Sequence, residues 1–137
     1  MDARRIATPR DLREALGPGG DLAQVKVLIA HLPRAVLVTD RSGRYVAVNR
    51  AACALTGYRE EELLRMAFPD VTGQTDERIA ETLWRVFVER GEQRGGFSLR
   101  RKDGSSLAVR YDAISIPPEF HASFLDAEDA GPPDVEA

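Results

Sequence analysis

The stretch VLVTDRSGRYVAVNRAACALTGY, Val36 to Tyr58, carries two β-rich runs, a turn between them and the start of a helix. Ala35 to Thr39 and Tyr45 to Val48 hold the aliphatic, β-branched and aromatic residues that suit a half-buried pleated surface. Asp40-Arg41-Ser42-Gly43 reads as the turn, because aspartate accepts backbone N–H bonds from the residues after it and glycine supplies the closing conformation. Asn49 is suited to cap a helix over Arg50 to Thr56, and Gly57 closes that helix.

Upstream, a helix starts at Asp21, a good N-cap, and stops before Pro33. Leu22, Val25, Leu28, Ile29 and Leu32 fall on one face at helical spacing, with Val27 and Ala30 expected to broaden it. Residues 1–20 read as an appendage: a short helix with Thr8 as N-cap, Pro9 at its first position and Leu12 and Leu16 as its stripe, then a Gly17-Pro18-Gly19-Gly20 hinge.

Downstream, YREEELLRM gives a further helical turn and AFPDVTGQ reads as irregular. Thr75 caps the longest helix, with Asp76 and Glu77 at its positive dipole end, and Gly91 ends it. Two long strands then surround Lys102-Asp103-Gly104-Ser105, since Asp-Gly marks a hairpin. Phe97, Leu99, Leu107, Val109, Tyr111 and Ala113 alternate onto one face; Arg100, Arg110, Ile114 and Ile116 make the other face mixed. Phe120, Ala122 and Phe124 share one side of a fifth strand. Residues 127–137 form an acidic tail rich in Pro and Gly, read as disordered. Hairpins flanking a helical middle imply an α+β fold, an antiparallel sheet with helices on one face, preceded by an amphipathic N-terminal helix.

Composition narrows the function. A chain of 137 residues holds one domain with one core, and a net charge of −3 creates no field for nucleic acid. RRKDG at 100–104 is better explained as an exposed turn than as a basic patch, and no aromatic platform accompanies it. The single cysteine cannot form an internal disulfide, and Cys53 among small apolar residues reads as a structural thiol. There is no secretory h-region and no apolar run of the roughly 20 residues a bilayer span needs, so a cytoplasmic location and no membrane contact are expected. Phosphate-cradling loops, GxSxG and Cys/His clusters are missing, and Glu60-Glu61-Glu62 reads as a solvated helix start; no enzyme and no metal are expected.

VLVTDRSGRYVAVNRAACALTGYREEELL at 36–64, followed by RGGFSLRRKDGSSLAVRYDAISI at 94–116, resembles the PAS domain, a sensory and dimerisation module of bacterial and eukaryotic signalling. The resemblance covers about residues 22–126 and implies a PAS-like five-stranded antiparallel sheet, with residues 21–126 as the domain. It also implies a pocket between sheet and helices. Haem-binding relatives supply a histidine from the long helix, and that helix has none; His31 and His121 lie elsewhere and read as surface or capping residues. Photochemical flavin relatives carry NCRFLQ before the long helix, and MAFPDVTGQTDE lacks the cysteine. No cofactor is therefore expected, haem and flavin included.

The functional alternatives stay open at this point. One is a sensor with a small apolar ligand in a pocket lined by Val46, Ile79, Leu83, Trp84, Phe87, Leu99 and Tyr111, the Tyr111 hydroxyl being the polar contact. The other is an interaction module whose core those side chains simply fill. In either, the resemblance implies a homodimer through Leu22, Val25, Leu28, Ile29, Leu32, Ile114 and Ile116, the alternative being a monomer in which that helix covers its own sheet. With no coiled-coil helix after Asp126, either a stand-alone form that regulates a signalling protein in trans or a piece of a longer chain is expected, the initial Met and tapering tail favouring the first.

Overall fold

The computed structural model describes residues 6–72, 77–116 and 120–128, without the side chains of 77–80 and 83. Helices α1 (Pro9–Leu16) and α2 (Leu22–Ile29) precede strands β1 (Ala35–Thr39) and β2 (Tyr45–Val48). Helices α3 (Arg50–Thr56), α4 (Glu60–Leu63) and α5 (Glu77–Arg90) follow, then strands β3 (Glu92–Arg100), β4 (Ser106–Ile116) and β5 (Phe120–Ala127). The five strands form one antiparallel sheet in the order β2-β1-β5-β4-β3. This is the expected α+β architecture.

The local chemistry behaves as its residue types dictate. Asp40 Oδ1 accepts from the Ser42 N–H at 2.9 Å, the Ser42 hydroxyl at 2.6 Å and the Arg44 N–H at 3.1 Å, and Gly43 takes φ 90. Those donors stabilise the carboxylate against its partial burial and hold Asp40 below the usual carboxylate range. Asp103 and Gly104 repeat the arrangement at the other hairpin. Asn49 caps α3 through a 3.0 Å bond from the Ala52 N–H, and Gly57 ends the helix in the left-handed region. Two details differ from the sequence reading. FPDV, read as irregular, winds into a 3₁₀ turn at Phe68–Val71, and β3 begins at Glu92, ahead of Gly95. Thr75, Asp76, Pro117, Pro118 and residues 129–137, with their cap, strand-end and disorder readings, lie outside the described residues.

All five residues of β1 are buried, which requires cover on both sheet faces. Leu37, Tyr45, Val48, Leu99, Val109 and Leu125 face the α3–α5 side together with Leu63 and Val71. On the opposite face Val36, Val38, Ile114, Ile116, Ala122 and Phe124 pack under Leu12, Leu16, Val25, Ile29 and Leu32 of the N-terminal helices. The segment expected to be an appendage thus supplies core residues, Leu12 being fully buried. It is held there by Arg34. The guanidinium donates to Asp126 at 2.6 and 3.2 Å and to the Ala7 carbonyl at 2.6 Å, and lies 5.0 Å from the Phe124 ring centroid. Gly20 is needed at the α1–α2 corner, where a Cβ would meet the Leu16 Cβ at 2.7 Å.

This packing revises the expected dimer interface. Val25, Ile29, Leu32, Ile114 and Ile116 are buried within the single chain, and Leu22 and Leu28 pack partly against the same cluster. They join helix to sheet intramolecularly. Val27, expected to broaden that face, is instead 71% exposed, and Ala30 is exposed too.

Leu12→Ala should cost about 3 kcal/mol in urea unfolding, the range for emptying a buried leucine site. A loss below about 0.5 kcal/mol would return α1 to the status of a surface appendage.

Candidate functional site

Between the sheet and α5 lies a cavity of about 80 Å³. Leu37, Tyr45, Leu125 and Ala113 give it an apolar sheet wall, and Phe68, Trp84 and Phe87 close it from the helical side. Roughly 150 Å³ accommodates a benzene in a dry apolar cavity, so this one suits something smaller. Its polar atoms come from Thr39, Thr72, Gln93, Tyr111 and Ser123. Tyr111 donates its hydroxyl to Gln93 Oε1 at 2.8 Å, so the partner its burial demands comes from the neighbouring strand. The Tyr111 ring lies over Gly95, where a Cβ would stand 3.0 Å from the ring. Burial raises the phenol's pKa and keeps it a neutral donor. Tyr45 is raised further by burial and by the charge of Asp70.

Thr39 differs from the others. It is 6% exposed, lines the cavity, and its hydroxyl has no hydrogen-bond partner among the described residues. An orphan buried hydroxyl costs about 1–3 kcal/mol unless something occupies the space beside it.

Of the pocket residues expected from sequence, Trp84, Phe87 and Tyr111 line the cavity. Leu99 is buried in the same core cluster without lining it. Val46 is a correction. The register shifts between Val38 and Thr39, and the irregularity turns Val46 toward the N-terminal helix cluster on the other sheet face. The side chains of Ile79 and Leu83 lie outside the described residues. Thr39, Phe68 and Ser123 were missed. Ser123 had a signal, since Phe120, Ala122 and Phe124 on one face leave His121, Ser123 and Leu125 for the other. Thr39 had the same signal, since it shares the Ala35 and Leu37 side of β1, whereas Phe68, in a 3₁₀ turn, had none.

Phe68 and Trp84 also line a second, outer space of about 700 Å³. Their rings stack with centroids 6.1 Å apart and form a partition between the two. Behind Trp84 lies His121, read from sequence as a surface or capping residue but only 7% exposed. Its ring meets Trp84 and Phe87 edge-on at 5.1 and 4.8 Å, and Nδ1 is hydrogen-bonded to Ser115 Oγ at 3.0 Å. Cys53 is half-buried, and desolvation with the charges of Glu60 and Glu61 raises its pKa, which keeps it a thiol. Among the described residues no three His, Cys, Asp or Glu gather to hold a metal, and no helix is long and apolar enough to cross a membrane.

The sheet order, the capped helix after β2 and the cavity under α5 define the fold class, and the comparisons give its family. The PAS fold family model matches residues 23–116, and the chain belongs to the PAS family, whose members serve as sensory modules in signalling proteins. Similar solved structures include a domain of the sensory box sensor histidine kinase/response regulator from Geobacter sulfurreducens. It is 20% identical, with TM-score 0.68, over 79% of this chain and 98% of that one. The PAS domain of an HTR-like protein from Haloarcula marismortui is 20% identical, with TM-score 0.67, over 77% and 89%. The PAS domain of a LuxR-family transcriptional regulator from Burkholderia thailandensis, in complex with ethanol, is 14% identical with TM-score 0.64, over 76% and 96%. Among curated proteins, none matches the sequence.

Burial lowers the pKa of His121 below its ordinary 6.5, and Arg41 lowers it further against an opposing pull from Asp40. Glu81 and Arg85 of α5 line the same space. The unfolded chain therefore binds this proton at a higher pH than the folded one. The stability contribution is full above pH 6.5 and is lost as pH falls from 6.5 toward the folded value. Urea unfolding of His121→Gln should lack the slope that the parent shows in this window; an unchanged slope would assign it to other groups.

Proposed function

We propose that this chain is a non-catalytic PAS sensory module whose inner cavity takes a small amphiphile of about three to five non-hydrogen atoms. The observation that carries this reading is Thr39, a residue of the cavity wall whose buried hydroxyl is unpartnered among the described residues. A ligand with a short apolar body and one hydroxyl or carbonyl would complete it while touching Leu37, Phe87 and Ala113. The size of the void argues against haem or flavin, both far larger. It is also a middle case between an open pocket and a filled core, since a void of about 80 Å³ remains beside Trp84 and Phe87. Ethanol in the Burkholderia thailandensis PAS domain is a ligand of this size class.

Strand β5 offers the route outward. Ser123 and Leu125 line the cavity, while Ala122 and Phe124 on the reverse face support the N-terminal helices. Occupancy that shifts β5 would move those helices, and with them a surface read by a signalling partner acting in trans.

Titration with 1-propanol, followed by amide NMR, should shift Thr39, Tyr111 and Ser123. Thr39→Val should weaken binding about fivefold, the worth of one hydrogen bond, and Ala113→Leu should abolish it by filling the space. Equal affinity in the parent and Ala113→Leu would refute the cavity assignment.

A homodimer is a second reading, favoured by one feature of α2. With Val25 and Ile29 turned inward, Ala23, Val27 and Ala30 lie four and then three residues apart on the outer side, all exposed. This small apolar stripe could seat the same stripe of a second copy. Sedimentation of Val27→Glu should then give monomers where the parent gives dimers; a dimer that survives the change would exclude this interface.

A further inference from the structure

The outer space beside the Phe68–Trp84 partition is independent of the inner cavity reading and has the makings of a site of its own. At about 700 Å³ it falls within the range of sites for small organic molecules, roughly 300–1,000 Å³. Its floor is apolar and aromatic, built from Phe68, Trp84, Ile116 and Phe120. Two arginines line the same space from different elements, Arg41 from the β1–β2 turn and Arg85 from α5. Neither forms an ion pair among the described residues, in contrast to Arg34 with Asp126 or Lys102 with Glu62. The acid nearest to Arg41 in sequence, Asp40, already accepts three hydrogen bonds within its own turn. Glu81 is the one carboxylate among the described lining residues, so the lining carries a net positive charge.

We propose that this groove binds an aromatic carboxylate, with its ring on Trp84 and Phe120 and its anionic end between Arg41 and Arg85. Each part of the ligand follows from a part of the site. The planar guanidinium matches a carboxylate bidentately. The ring covers aromatic surface that would otherwise face water. An organic cation would meet two like charges, and an inorganic phosphate would leave the aromatic floor uncovered. Because Trp84 and Phe68 belong to both spaces, a ring seated here bears directly on the wall of the inner cavity.

The test uses the full chain with 2-naphthoate, and 2-naphthylmethanol and 2-naphthylmethylamine as isosteric neutral and cationic probes, followed by amide and indole NMR. The chain has a single tryptophan, so the Trp84 indole N–H is one assigned signal. Naphthoate should shift that signal with Ser42, Gly43 and Ser115, and bind at least tenfold more tightly than the alcohol, with the amine weaker still. Arg41→Gln and Arg85→Gln should each reduce naphthoate affinity fivefold or more at unchanged melting temperature. Equal affinity for the alcohol, or insensitivity to both arginine changes, would overturn the proposal. Shifts confined to Thr39, Tyr111 and Ser123 would overturn it as well, by placing the probe in the inner cavity. Propanol binding at Thr39 succeeds or fails separately from this result.

Discussion

The Asn49 side chain is the point on which the arrangement of helices about the sheet depends. Its Oδ1 accepts from the Val36 N–H and the Ala52 N–H, each at 3.0 Å. Its Nδ2 donates to the Ile29 and Arg34 carbonyls, each at 2.9 Å. One buried amide therefore serves an orphan N–H at the start of α3 and gives the Ile29 carbonyl at the end of α2 a second donor beside the Leu32 N–H, and it ties both helices to β1. Asparagine is suited to this because it offers two acceptor lone pairs and two donors on one short side chain. Aspartate could keep the acceptances but not the donations. The inner and outer helical layers are thereby registered to the same strand.

That registration explains why cover on both faces follows from a chain of this length. With α2 fixed at Ile29, Val25 and Ile29 can only turn onto the sheet, where they meet Ile114, Ile116 and Phe124. Burying side chains of this size is worth roughly 1.5–3 kcal/mol each, far more than the exposed ion pairs that decorate the surface. The outer helices are part of the domain's stability, and any signal leaving the cavity through β5 has to work against that packing.

How much of this was legible depended on whether the cause was local. Asp40 with Gly43, Asp103 with Gly104, and Asn49 with Gly57 announce their turns and caps, because each acts on backbone within a few residues. The alternation of β4 likewise sorted Val109 and Tyr111 from Ile114 and Ile116. What alternation does not encode is the origin of the cover. The apolar stripe of α2 reads the same whether it meets its own sheet or another copy, and here its own sheet took it. A bulge between Val38 and Thr39 moved Val46 to the wrong side of a strict two-residue reading. His121 looked solitary because its neighbours Trp84 and Phe87 are distant in sequence, and the pairing of Thr39 with His121 across β1 and β5 is equally nonlocal. The family resemblance supplied the topology; the cavity's size depended on side-chain packing that no motif records.

The account rests on Asn49 holding both helical layers to β1, and a comparison of Asn49→Asp with Asn49→Ala tests it most directly. Urea unfolding should show a loss of about 3 kcal/mol for alanine, which removes the cap and leaves buried backbone groups unpaired. Aspartate should lose a comparable amount, because it retains the α3 cap yet presents a carboxylate to two carbonyls. In both variants, amide exchange should quicken in α2 as well as in α3. A loss below about 1 kcal/mol for either variant, or faster exchange in α3 alone, would mean that the helices are placed by hydrophobic packing without this amide, and would contradict the account.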